Sequence, residues 1–171
     1  MPTLDIRKLD LSDDLGYFDC GNRDLNEYIL YQALEQQNEG SSTTYLARHG
    51  SDIVGFVSLA MSSLRVEYIE RKHLFKASRY QSFPSLMIGR LAVDKEHQGR
   101  DFGTELCDFA VANAMDLRSR LGCQFVIVNA KPGSIQFYEK IGFQLAPNQL
   151  KQREPFMYFK LPLLDPPPTT R

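Results

Sequence analysis

Cysteine is scarce in this chain of 171 residues: Cys20, Cys107 and Cys123 are the only three, an odd number without C-x-x-C spacing. That excludes a disulfide framework and a zinc site, and leaves small buried thiols as the expectation. Histidine is equally thin, and His49, His73 and His97 are too scattered for helical metal ligation, so no metal is expected. No apolar run approaches the ~20 residues that span a bilayer, and residues 1–7 lack a basic-then-hydrophobic leader pattern. A cytoplasmic protein with no membrane partner is the expectation. A surplus of charge of one sign is also missing, since 20 Lys and Arg stand against 21 Asp and Glu, a formal net charge of −1. There is no global pull toward nucleic acid or anionic lipid, although a local patch is compatible with that total.

The length suits one α/β domain over residues 1–161, followed by a proline-rich tail at 162–171 that cannot continue a ladder. Thr3 to Leu9 alternates as a half-buried first strand does. Asp19-Cys-Gly-Asn22 offers turn and cap chemistry, and from Arg23 to near Gly40 the residues Leu25, Ile29, Leu30 and Leu34 recur at helical spacing. Thr43–Arg48 and Ile53–Ala60 read as a meander of two strands. Between Ser62 and Ser85 no element stands out, but Arg65, Arg71, Lys72, Lys76 and Arg79 face only Glu67 and Glu70. Such a charge run is usually a solvated loop face.

Leu86–Val93 is a mostly apolar run that predicts a central strand buried on both faces. After the polar loop Asp94–Arg100, the residues Phe102, Leu106, Phe109, Ala110, Ala114, Leu117 and Leu121 mark one face of a long helix that stops at Gly122. Gln124–Val128, a shorter helix over Ser134–Ile141 and a last strand over Phe156–Leu161 complete the pattern. Strand, helix, strand in this order predicts a parallel crossover.

The strand–turn–helix stretch from Leu91 to Thr104 carries the most chemistry. The first turn of a helix presents unpaired N–H groups and the positive dipole end, and small residues let an anion approach the backbone, which suits a pyrophosphate. A glycine at a helix start also simply helps a chain turn. Tyr138, three residues from both Ile135 and Ile141, reads equally as a core aromatic and as a proton donor.

Gln98-Gly-Arg-Asp-Phe-Gly103 is similar to the acyl-CoA signature of GNAT-superfamily acetyltransferases: Arg or Gln, two residues, Gly, one residue, Gly or Ala. Asp101 stands where that pattern has its first glycine. Arg90-Leu-Ala-Val-Asp94 resembles the family's central strand, and Phe137-Tyr-Glu-Lys-Ile-Gly-Phe143 its second signature. Together with Phe18-Asp-Cys-Gly-Asn-Arg-Asp-Leu25, Thr43-Thr-Tyr-Leu46 and Val54-Gly-Phe-Val-Ser-Leu-Ala60, the pattern looks like the GNAT toxins of type II toxin–antitoxin modules over about residues 3–161. The resemblance implies a single-domain fold with a mixed central sheet flanked by helices, and acetyl-CoA as acetyl donor. It implies that the backbones of Leu91, Ala92 and Val93 pair with the pantetheine arm, and that those of Gln98, Gly99, Arg100, Asp101, Phe102, Gly103 and Thr104 hold the pyrophosphate. Tyr138 would protonate the departing thiolate. Asn129, at a strand end, and Ser134 read equally as hydrogen-bond partners of the cofactor arm and as ordinary turn and cap residues. For a general base, Glu67, Glu96 and His97 are candidates that no pattern separates from surface groups, and an ordered water is the alternative. The same resemblance implies an aminoacyl-tRNA acceptor, a ribbon-helix-helix antitoxin and a homodimer. Acetylation of a protein N-terminus or small amine, and a non-catalytic CoA-binding or partner-binding module, remain the other readings.

Overall fold

The computed structural model describes residues 4–74 and 79–163, so Lys76 and residues 164–171 of the tail lie outside it. Its strands are β1 (Asp5–Lys8), β2 (Thr43–His49), β3 (Asp52–Arg65), β4 (Ser82–Val93), β5 (Phe125–Asn129), β6 (Gln144–Leu145) and β7 (Phe156–Lys160). They form one mixed sheet in the order β1-β2-β3-β4-β5-β7-β6. Every neighbouring pair is antiparallel except β4 and β5, which are parallel and joined through α3 (Phe102–Arg120). β4 is therefore the middle strand, and the crossover has the expected order.

Alternate residues sort onto the two faces. Ala47, Val57, Val126 and Val128 pack with α3 and with Tyr138 of α4 (Ile135–Lys140), whereas Leu46, Phe56 and Ala92 pack with the N-terminal helical segment. That segment comprises α1 (Arg23–Glu27), a π turn over Tyr28–Gln32, and α2 (Ala33–Asn38). Asn22 caps it, its side-chain oxygen accepting from the Leu25 N–H at 3.2 Å. The π turn corrects the periodic reading. Ala33 N–H bonds back to the Tyr28 carbonyl, and the extra residue rotates the buried stripe to Leu25, Tyr28, Ile29 and Ala33. Leu30 is turned out to solvent and Leu34 is only partly buried.

Four other expectations are revised. β1 is a shorter edge strand in which Ile6 alone is partly covered. β3 and β4 extend well into the stretch that looked structureless, because Leu64 pairs with Phe83 and both are buried beneath the connection that follows. That connection, residues 66–81, contains two short 3₁₀ turns, Val66–Tyr68 and Arg71–His73. Its described residues Val66, Tyr68, Ile69 and Leu74 pack on the α1 side of the sheet at its β5–β7 end, where Ile69 joins Phe125, Ile127 and Tyr158. β4 is not buried on both faces throughout, since Gly89 is exposed and Arg90, Leu91 and Val93 are only partly covered. Finally, Leu121 is 77% exposed. It follows the last turn of α3, and Gly122 at φ +81° takes the chain away before that side chain reaches the core.

Candidate active site

The site begins where two strands part. β4 and β5 share a ladder only from Ser85 and Phe125 to Ile88 and Val128. At the next residue β4 bulges: its register with β3 jumps from Leu59 opposite Ile88 to Ser58 opposite Arg90, leaving Gly89 unpaired. A side chain there would press on Ser58, because a Cβ at Gly89 would stand 3.0 Å from its Oγ. From the bulge β4 continues to Val93 against β3 alone, so among the described residues its other edge faces a cleft rather than a strand.

That cleft, about 750 Å³, has Leu91, Ala92 and Val93 on one wall. The turn and first helical residues Gln98, Gly99, Asp101, Phe102, Gly103 and Thr104 form its end, and Ser134 and Tyr138 line the opposite wall. Of the residues expected from sequence, Arg100 and Asn129 do not line it. Arg100 is exposed on the turn, and Asn129 is exposed at the end of β5, opposite Phe156. Ser134 uses its hydroxyl locally, donating to the Lys131 carbonyl at 2.8 Å. The Gln98 side chain also bonds to protein, with Nε2 donating to the Val93 carbonyl at 3.0 Å and the Cys20 carbonyl at 3.2 Å.

Sequence reasoning did not place two groups that line the cleft. Cys20, Asn22 and Leu25 come from the N-terminal segment, whose sequence predicts turn and cap chemistry but no place in the cleft. Lys131, Gly133, Gln136, Phe137 and Lys140 come from the β5–α4 turn and α4. Lys-Pro-Gly ahead of a helix was the available signal. Lys131 is paired with Glu154 at 2.7 Å.

The end wall is shaped for an anion. The first ladder bond of α3 runs from Glu105 N–H to the Asp101 carbonyl at 3.1 Å, so the N–H groups of Phe102, Gly103 and Thr104 precede the helical ladder. Behind them lies the dipole of a 19-residue helix. The chain enters through two left-handed residues, Gly99 at φ +77° and Asp101 at φ +62°. Glycine adopts such angles freely, while aspartate carries a Cβ cost of roughly 1 kcal/mol. Asp101 makes no side-chain cap bond. Close approach of α3 to α4 requires Gly103, where a Cβ would sit 3.2 Å from the Phe137 ring.

Tyr138 is 6% exposed, with its ring against Phe137 and Phe143 at centroid distances of 5.0 and 5.4 Å. Burial first, and then the neighbouring Cys107 thiol, push its phenol up from the ordinary value. It therefore stays protonated at neutral pH. Of the candidate bases, Glu67 is exposed and paired with Arg65 at 3.1 Å, and Glu96 is exposed. His97 alone lines the cleft, its Nδ1 3.3 Å from Asp94 Oδ1. No helix among the described residues is long and apolar enough to cross a membrane.

A groove that offers a bare strand edge to amides and a helix N-terminus to an anion fits an acyl-CoA, and a buried phenol beside it is suited to proton delivery. These features define an acyl-CoA-dependent transferase. The acetyltransferase (GNAT) domain model matches residues 14–158, and the chain belongs to that family of acetyl-CoA-dependent enzymes. It is similar to a tRNA-acetylating toxin of Mycobacterium tuberculosis (strain ATCC 25618 / H37Rv), 26% identical over 142 residues that cover 82% of this chain and 84% of the relative. Among solved structures it resembles AtaT complexed with acetyl-methionyl-tRNAfMet, with a TM-score of 0.82, 24% identity, and coverage of 92% of this chain and 95% of that one. It also resembles a tyrosine-to-phenylalanine mutant of the AtaT toxin bound to the C-terminus of the antitoxin AtaR and acetyl-CoA. There the TM-score is 0.74 and the identity 22%, over 92% of this chain and 93% of that one.

Proposed function

We propose that this acetyltransferase moves the acetyl group of acetyl-CoA onto the α-amino group of an aminoacyl-tRNA, acting as a translation-blocking toxin. The donor half of the reading is carried by one observation, the free edge of β4 running into the N-terminus of α3 within a single cleft. Acetyl-CoA supplies an activated thioester. The residues do the rest: the backbones of Leu91, Ala92 and Val93 offer the groups a strand partner would use, and the N–H groups of Phe102, Gly103 and Thr104 receive the anionic end. As the amine nitrogen bonds to the acetyl carbon and the C–S bond breaks, Tyr138 delivers its hydroxyl proton to the leaving sulfur, so that the new amide is not attacked in reverse. The proton lost by the amine passes to solvent, from which the phenol is reprotonated. Ser134, Thr104 and Gly99 also line the groove.

The acceptor half is supported by the relatives that act on or bind tRNA and by the exposed basic residues Arg71, Lys72 and Arg79 in the connection between β3 and β4. The domain proposed is 1–161 with a separate tail at 162–171, working in the cytoplasm as a homodimer. The likeness to an antitoxin-bound toxin supports an antitoxin partner, here proposed as a ribbon-helix-helix protein. The test is incubation of purified protein with labelled acetyl-CoA and a charged tRNA pool. Label should enter the tRNA fraction and leave it on deacylation; label on protein or free amines alone would reject the tRNA acceptor, and no transfer to any amine would reject the enzyme reading.

A further inference from the structure

The Phe18–Leu25 motif has no part in the chemistry just described, yet it is bound closely to the turn that receives the anion. Asp19 N–H donates to Asp94 Oδ2 at 3.1 Å, Lys95 N–H donates to the Asp19 carbonyl at 2.8 Å, and Lys95 Nζ donates to Asp19 Oδ2 at 2.6 Å. The Gln98 amide adds the bond to the Cys20 carbonyl. On its other oxygen, Asp19 Oδ1 accepts from Gly21 N–H at 2.9 Å and Asn26 Nδ2 at 2.8 Å. Asn26 Oδ1 in turn accepts from Cys20 N–H at 3.0 Å and its thiol at 3.1 Å. Asp19 is held well below the usual carboxylate range, chiefly by the Lys95 ammonium and then by Gly21 N–H and Asn26, so it is ionised at any working pH.

We infer that Asp19, with Asn26 behind it, is a positioning residue of the donor site: it clamps residues 94–98 so that the following turn keeps its two left-handed residues in place. Such angles at a residue with a Cβ persist only where the surroundings over-determine them, and Asp101 makes no cap bond of its own to hold φ +62°. The clamp supplies that constraint from some seventy-five residues away in sequence. It also explains why Cys20, Asn22 and Leu25 stand in the cleft wall. Tyr138 takes part in none of the clamp bonds. Loss of the clamp should therefore weaken donor binding and leave the chemical step nearly alone.

This inference rests on the donor-cleft reading, and the experiment separates the two. Asp19→Asn keeps the shape and removes the charge, and Lys95→Met, at an exposed position, removes only the ammonium. Acetyl-CoA KM should rise about tenfold in Asp19→Asn and about threefold in Lys95→Met, with kcat at saturating acetyl-CoA within about threefold of wild type. In a chain that also carries Asp101→Gly, the Asp19→Asn penalty should shrink to within about twofold, because glycine takes the left-handed angles unaided. Amide hydrogen exchange of residues 94–101, read without any ligand, should quicken in Asp19→Asn while α3 beyond Glu105 is unchanged. A KM within about twofold of wild type, a loss confined to kcat, an undiminished penalty in the Asp101→Gly background, or unchanged exchange in the turn would each overturn the clamp. Wild-type protein that fails to bind acetyl-CoA by calorimetry would sink the donor reading instead, with the exchange result still deciding the clamp.

Discussion

The donor cleft and the basic connection between β3 and β4 lie on different parts of the same sheet and are built on opposite plans. The cleft uses the middle strand, the longest helix among the described residues, and a turn fastened by backbone and side-chain hydrogen bonds from distant sequence. Among its described residues the connection has two 3₁₀ turns and is held by the bonds that follow. Tyr158 hydroxyl accepts from Glu70 N–H at 3.0 Å and meets His73 Nδ1 at 2.8 Å, while Lys160 Nζ donates to the His73 carbonyl at 2.8 Å. The contrast has a physical logic. Chemistry on a thioester needs groups held to fractions of an ångström, whereas the attraction between basic side chains and phosphates is long-range, screened and tolerant of movement. The two regions should therefore break separately.

The largest separation is expected from Tyr138→Phe. The ring packing against Phe137 and Phe143 survives and only the proton is lost, so turnover should fall by ~10²-fold or more with acetyl-CoA affinity nearly unchanged. Steady-state kinetics beside calorimetry reads both; unchanged turnover would make Tyr138 a core residue. The converse break is Arg71, Lys72, Lys76 and Arg79 replaced together by Ala. Each phosphate that is no longer neutralised should remove roughly one counterion from the salt slope. Binding of tRNA should weaken by about 10- to 100-fold at low salt, while acetyl-CoA binding and slow acetylation of a free amine persist. A wild-type slope in the fourfold variant would mean that the connection is a solvated face.

A smaller effect tests the anchors. Tyr158→Phe leaves the Glu70 N–H without its acceptor and should cost about 1–2 kcal/mol in urea unfolding, with weaker tRNA binding and an unchanged KM for acetyl-CoA. His73 adds a pH signature. Burial, followed by the charges of Lys72 and Lys160, lowers its pKa from 6.5. The unfolded chain then takes up this proton at higher pH than the folded one, so the contribution present above pH 6.5 is lost as pH falls below it. Equal stability of the variant and wild type across that range would show the anchor to be idle.

The same contrast explains what the sequence made legible. β4, the turn and α3 follow from one apolar run, one polar turn and a 3.6-residue stripe, all local signals. Tyr138 lies on a short helix that ends before Gly142 and could be placed for the same reason. The extensions of β3 and β4 are stabilised by cross-strand partners such as Leu64 and Phe83, and no local pattern reports a partner so far along the chain. The π turn hides from a fixed helical period in the same way. Phe18–Leu25 was recognisable as a motif, but the attachment of its Asp19 to Asp94 and Lys95 is a long-range fact. Arg100 and Asn129 were carried into the site by the signature and the strand end, and the geometry leaves both outside the cleft.

The finest test falls on the residue where signature and sequence disagree. Asp101 occupies a left-handed position at φ +62° at the mouth of the anion site, and that angle is the physical reason a glycine suits the place. Two effects of Asp101→Gly oppose each other in stability: relief of roughly 1 kcal/mol of backbone strain, and a similar cost from glycine's freedom in the unfolded chain. Stability should therefore change by less than about 0.5 kcal/mol. In binding, the chain freedom of glycine opposes the gain without cancelling it. A carboxylate ~4 Å from a phosphate costs about 1 kcal/mol per charge pair even in water, so its removal should tighten acetyl-CoA about fivefold at low salt, and by less as salt screens the pair. Calorimetry across a salt series separates the causes. A gain that fades with salt identifies electrostatic repulsion, and a gain independent of salt identifies backbone relief. Equal or weaker binding would mean that the carboxylate points to solvent and that Asp101 serves the turn without touching the donor's charge.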